Sequence, residues 1–188
     1  MINNYFGFTH KPFPKNISSK NMFIWKEFEN LKLRLAYFLK ERGLFLLTGL
    51  IGSGKTTALK HFSQSLDINA YSVIYLNFQF DSKRDFYRTI LNHCNIVPSY
   101  LYGDSRNMLR KFFLEMHSVK RITPVLIFDE AQNLPGFILE EIRLLSNFDY
   151  DSVSPILIIF SGHRLLQQRM ALNENEALKQ RITIKYHL

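Results

Sequence analysis

Three glycines and a lysine fall within the run Thr48-Gly49-Leu50-Ile51-Gly52-Ser53-Gly54-Lys55-Thr56-Thr57, which matches G-x-x-x-x-G-K-[ST] at every position. Successive backbone N–H groups can turn inward around phosphate oxygens where no Cβ fills the concavity, and Gly49, Gly52 and Gly54 leave that room. Lys55 can reach β/γ-phosphates, the Thr56 hydroxyl can ligate Mg²⁺, and the positive end of the helix that follows adds to the attraction for an anion. Gly49, Leu50, Ile51, Gly52, Ser53, Gly54, Lys55, Thr56 and Thr57 are therefore read as the segment that holds the phosphates of a nucleotide.

A second constellation is acidic. Val125-Leu126-Ile127-Phe128 is an apolar run that ends in Asp129-Glu130. At the carboxyl end of a buried strand, where ligands of α/β sheets bind, Asp129 can hold Mg²⁺ directly or through water. Glu130 points to another side and can orient the water that attacks a γ-phosphate, or accept its proton. Alone, an apolar run closing on two acids says little; following a matched phosphate loop, it completes an ATP- and Mg²⁺-dependent phosphoryl-transfer site.

Positioning these groups requires a particular scaffold. Leu44–Leu47, Ser72–Phe78, Val125–Phe128, Ile156–Phe160 and Ile182–Ile184 are apolar without alternation, the signature of strands covered on both faces. Between them helical periodicity runs over about Thr56–Leu66, Lys83–Cys94, Ser105–Val119, Gly136–Phe148 and Arg164–Arg181, and an amphipathic helix over Trp25–Glu41 precedes the first strand. Strands alternating with helices predict an α/β fold, a three-layer αβα sandwich about a five-stranded, mostly parallel sheet. The strand at 72–78 lies in sequence between the two motifs. With the extra Glu130, it favours the phosphate-loop ATPases that insert a strand there and use glutamate as base. Residues 1–22, broken by Gly7, Pro12 and Pro14 and rich in aromatics, read as an irregular arm ahead of a core spanning 23–188.

The 188 residues carry 24 Lys+Arg against 16 Asp+Glu, a formal charge of +8, and 46% of them are hydrophobic. That composition rules against a disordered chain and suits a polyanionic partner such as nucleic acid. The single cysteine, Cys94, cannot form an internal disulfide and is read as a buried thiol. No apolar stretch approaches a membrane span and the N-terminus has no signal-peptide pattern, so the expected location is cytoplasmic.

Taken together, the chain resembles the AAA+ ATPases, and within them the branch of the ExeA secretion ATPase and the TniB/TnsC-type transposition ATPases. The resemblance is carried by Tyr5-Phe6-Gly7-Phe8 with Lys11-Pro12-Phe13, Gly54-Lys55-Thr56-Thr57, Phe128-Asp129-Glu130-Ala131-Gln132-Asn133-Leu134, Phe160-Ser161-Gly162-His163 and Leu178-Lys179-Gln180-Arg181-Ile182. It implies that the aromatic arm, with Phe8 and Phe13, flanks the adenine. The polar end of the fourth core strand would be sensor 1, with Ser161 and His163 as competing candidates and His163 the choice. Arg181 matches the position of an arginine finger that enters a neighbour's site. The family continues into a small helical lid, whereas this sequence stops at Tyr186-His187-Leu188; either the natural protein lacks a lid or the chain is cut before it, and a cut is the expectation.

The resemblance also implies partners: copies of the chain in a ring or helical oligomer, duplex DNA, and a transposase. Lys83, Arg84, Arg88, Arg106, Arg110, Lys111, Lys120 and Arg121, interleaved with Tyr87, Tyr100 and Tyr102, fall where the transposition ATPases grip the DNA backbone, and would make binding salt-sensitive and largely independent of sequence. Two alternatives stand beside this reading: a secretion-apparatus ATPase, and a nucleotide-gated oligomerisation module with little turnover.

Overall fold

The computed structural model describes residues 5–7, 23, 25–77, 79–148 and 154–188. Helix α1 (Lys26–Glu41) buries Phe28, Leu31, Leu35 and Phe38, one face at helical spacing, with Glu27 and Glu29 in its first turn and Lys40 in its last. This charge order suits the helix dipole. The helix stops where Arg42 turns to φ 62° and Gly43 to φ 100°, reversing the chain into β1 (Gly43–Thr48).

The other strands are β2 (Tyr71–Leu76), β3 (Thr123–Phe128), β4 (Leu157–Gly162) and β5 (Ile182–His187). Their order is β2-β3-β4-β1-β5 and every pairing is parallel. β3 and β4 are buried along their whole length, whereas β2 and β5, on the two edges, are only partly covered. The expected sheet is therefore present. The strand that separates the two motif strands in space is β4, while β2, which separates them in sequence, lies at the rim.

Alternation along the central strands supplies both layers. Val125, Ile127, Leu157 and Ile159 pack with α1 and α2 (Lys55–Ser65) through Phe28, Leu31, Phe38 and Leu59. On the other face Leu126, Phe128, Ile158 and Phe160 meet α3 (Lys83–His93), α4 (Tyr102–Ser118) and α5 (Gly136–Leu145) through Phe86, Ile90, Leu109, Phe113 and Ile142. The Phe128 and Phe160 rings stack at 5.6 Å, immediately beneath the ends of β3 and β4 where Asp129 and His163 emerge. Truncating a ring buried in this way typically costs about 3–5 kcal/mol.

Two expected helices are shorter than their periodicity suggests. The run Arg164–Arg181 divides into α6 (Arg164–Met170), a 3₁₀ turn at Asn173–Asn175 and α7 (Glu176–Lys179). The buried Asn175 side chain donates to the Arg169 carbonyl at 2.8 Å, a side-chain bond that competes with continuation of the helix. α5 ends at Leu145 rather than Phe148 because Arg110, reaching across from α4, donates to the carbonyls of Leu144 at 2.9 Å and Asn147 at 2.7 Å.

Candidate functional site

The candidate site lies at the carboxyl ends of β1, β3 and β4. Between β1 and α2 the loop carries Gly52 at φ 80° and Gly54 at φ 90°, left-handed conformations that glycine adopts readily. Lys55 begins α2 and is buried, its ammonium donating to the carbonyls of Gly49 at 3.1 Å and Leu50 at 2.8 Å. Ser53 Oγ is buried without a hydrogen-bond partner among the described residues. A cradle of turned backbone, a buried ammonium and an orphan hydroxyl fit the phosphates of a nucleotide.

Opposite the loop, the Thr56 hydroxyl donates to Asp129 Oδ2 at 2.7 Å. The same oxygen accepts the Tyr75 phenol at 2.6 Å, and Asp129 Oδ1 accepts the Glu130 N–H at 3.0 Å. By giving its proton to Asp129, Thr56 keeps its lone pairs for a cation; hydroxyl and carboxylate are the hard oxygen donors that Mg²⁺ takes, together with phosphates and water. The residues present therefore fit Mg²⁺. Burial, followed by the bond to Asp129, raises the Tyr75 pKa well above its ordinary value of 10.0, so the phenol remains a donor.

Glu130 takes φ 53° and ψ 37°, a left-handed conformation unusual for a residue with a side chain. A turn bond from Asn133 N–H to the Glu130 carbonyl at 3.0 Å and the bond to Asp129 hold it there. Strain of this kind concentrates at functional sites. Its exposed side chain joins Ile51, Gly52, Gly54, Lys55, Thr56, Thr57 and His163 around one cavity of about 240 Å³. His163 also caps α6, Nδ1 accepting from Leu165 N–H at 3.4 Å, which leaves Nε2 as the protonated nitrogen of the neutral ring. Ser161, the competing sensor candidate, is wholly buried and its hydroxyl has no partner among the described residues.

The sequence-predicted residues thus divide. Gly52, Gly54, Lys55, Thr56, Thr57, Asp129, Glu130 and His163 come together. Arg181 does not: it precedes β5, whose register sets Ile182 beside Leu44 and His187 beside Thr48. At about 3.3 Å per residue, the length of β5 separates it from its own phosphate loop by roughly 20 Å. Phe8 and Phe13, expected beside the adenine, lie outside the described residues.

Three residues that the sequence did not single out belong to the site. Trp25, the only tryptophan, lies so near Gly54 that a Cβ there would come within 3.0 Å of the indole. Tyr75 would have been found by asking which β2 residue faces the end of β3. Gln132 lies within the motif at residues 128–134, where its neighbours in sequence give it no role.

The basic stretches need correction as a DNA-facing set. Arg110 turns inward onto the end of α5 and lies over the Phe148 ring at 4.4 Å. Lys83 pairs with the wholly buried Glu141 at 2.6 Å, which also accepts the Tyr87 hydroxyl at 2.9 Å. Tyr87 is itself buried. Arg110 thus pins α4 to α5, and Lys83 with Tyr87 pins α3 to α5, roles that a charge pattern cannot distinguish from a solvated face. Arg84, Arg88, Lys111, Lys120 and Arg121 remain exposed, Arg84 lying over the Tyr100 ring at 4.3 Å.

A sequence profile described as "AAA domain" matches residues 39–170, which take in the phosphate loop, Asp129, Glu130 and His163. The chain belongs to this family. It is an AAA+ P-loop ATPase domain, and by family a binder of ATP with Mg²⁺. A curated relative, "General secretion pathway protein A" of Aeromonas hydrophila, is 29% identical over 191 residues, covering all of this chain and 35% of the relative. Among solved structures, the ORC2 protein of Aeropyrum pernix in its ADP form superposes with a TM-score of 0.64 at 17% identity, over 99% of this chain and 52% of that one. The ORC1 protein of the same organism, in complex with DNA, gives 0.58 at 16% identity, over 86% and 44%. At these identities the structures share the fold. The chain spans about a third of the curated relative and about half of the solved structures. Among the described residues no helix is long and apolar enough to cross a membrane.

Proposed function

We propose that this chain is the hydrolytic core of an ATPase that assembles with copies of itself and works on DNA. The observation that carries the reading is the single cavity on which Lys55, Thr56, Glu130 and His163 converge, with Asp129 bonded to Thr56 at its wall. In this reading Lys55 and the loop N–H groups hold the phosphates, Thr56 and Asp129 hold Mg²⁺, Glu130 orients the attacking water, and His163 Nε2–H donates to the γ-phosphate. Mg²⁺ supplies neutralisation of the phosphate oxygens. Arg181 is too far to serve its own site and is assigned to a neighbour's, where arginine fingers contribute about 10³-fold or more in rate.

The DNA part rests on the charge of +8, on the exposed Arg84, Arg88, Lys111, Lys120 and Arg121, and on likeness in fold to the ORC1 protein solved in complex with DNA. A transposase partner is the finer form of this reading and rests on the motif resemblance alone. The secretion reading is favoured by a different observation, the relative named for a secretion pathway that aligns over the whole chain.

The test uses full-length protein. Glu130→Gln should retain ATP and lose turnover, and duplex DNA should bind only with ATP or a non-hydrolysable analogue present, with affinity falling steeply as salt rises. Absence of DNA binding at low salt with ATP would overturn the DNA reading in favour of a secretion or other protein-remodelling role.

A further inference from the structure

Gln132 is buried, and each of its polar ends is engaged. Its Nε2 donates to Glu130 Oε2 at 2.5 Å, its Oε1 accepts the His163 N–H at 3.3 Å, and its main-chain carbonyl accepts from Arg169 on α6. The partners fix the orientation of the amide. Reversed, it would set oxygen against carboxylate and nitrogen against an N–H.

The space for this amide comes from Gly162. That glycine does not take a positive φ, so its backbone does not require glycine; instead, a Cβ there would collide with Gln132 Oε1 and press on the buried Leu166 side chain at 2.9 Å. One side chain therefore links the carboxylate on the β3 side of the cavity to the backbone that begins the sensor segment on the β4 side, and a neighbouring residue is left small to admit it.

We propose that Gln132 is a positioning residue that sets the direction of the Glu130 carboxylate and couples it to the backbone of His163. A γ-phosphate that draws on His163 moves the N–H to which Gln132 is tied, and the amide passes that displacement to Glu130. The aim of the carboxylate thereby depends on what the end of β4 touches. Gln132 touches no reacting atom in this account.

The inference rests on Glu130 as the group that orients water, so the two are tested separately in full-length protein under assembling conditions. Gln132→Leu keeps bulk and removes both amide bonds. It should lower kcat about 10- to 100-fold, a part of the 10²–10⁴ that a positioned base contributes, and leave KM for ATP within about 3-fold. In a Glu130→Gln background the same change should cost nothing further in single-turnover rate, because a residue acting through Glu130 has nothing left to position. Gly162→Ala, which displaces the amide and also presses on Leu166, should reproduce the fall in kcat, and in a Glu130→Gln background it too should cost nothing further in single-turnover rate.

If Glu130→Gln turns over normally, the assignment of Glu130 fails. If Glu130→Gln is inactive while Gln132→Leu and Gly162→Ala keep kcat within about 2-fold of the parent, this inference alone is overturned. Equal losses from Gln132→Leu with and without Glu130 would also overturn it, showing a residue that only supports the fold. Should Gln132→Leu fail to fold, Gly162→Ala with Glu130→Gln completes the same cycle and decides.

Discussion

The Thr56 hydroxyl and the Asp129 carboxylate, 73 positions apart, meet at 2.7 Å on an oxygen that the Tyr75 phenol also reaches at 2.6 Å. The two motifs are thus joined by a hydrogen bond, and a third residue from the edge strand braces the acid half.

Tyr75→Phe keeps the ring and removes the brace. Groups bonded to a metal ligand typically govern about 10- to 100-fold in metal affinity. Titration of ATPase activity with Mg²⁺ should show the half-saturating concentration raised about 10-fold, while Mg²⁺-free nucleotide binding stays unchanged. An unaltered Mg²⁺ requirement would place Tyr75 outside the cation site.

Arg110 and Arg84, both basic and both on the α3–α4 side, should separate on substitution. Arg110→Ala removes the guanidinium donor from the Asn147 carbonyl and from the Leu144 carbonyl, which keeps the Asn147 N–H at 3.4 Å, and should cost about 1–3 kcal/mol, read as a lower thermal midpoint. It should leave the slope of DNA affinity against salt unchanged. Replacing Arg84 and Arg88 together should leave the midpoint nearly unchanged and make that slope shallower by about 2, one for each phosphate that no longer meets an arginine.

Burial pushes the Cys94 thiol from an ordinary 9.0 up to about 11. Since the thiolate is the reactive form, alkylation in the folded protein should be slow at neutral pH and rise through about pH 11 rather than 9. At about pH 8 the rate should lie about 100-fold below that of an unshifted thiol, measured by mass shift over time. Rapid labelling at that pH would show that α3 opens at its end.

What the sequence revealed follows from where the information lies. The phosphate loop and the Asp129-Glu130 pair are chemistry written in consecutive residues, and the apolar runs of β3 and β4 announce strands covered on both sides. Parallel pairing joins distant segments, so nothing local tells that β4 rather than β2 stands between β1 and β3. The same limit hid the inward turn of Arg110 and the pairing of Lys83 with Glu141, because a cation that caps a helix and one that faces water have the same local pattern. Gln132 was legible as a letter in a motif; its role needs the neighbouring Gly162 to be seen making room for it.

Arg181 and the phosphate loop sit at opposite ends of the same sheet. If the arginine completes a neighbour's site, each copy has a donor face and an acceptor face that are different surfaces, and copies must join head to tail. Such an array has direction. Closed on itself, it gives every copy a complete site; left open, it leaves the copy at one end holding nucleotide that no neighbour can help to cleave. That end would keep its ATP longest, and an open array would carry a chemical mark of which way it grew.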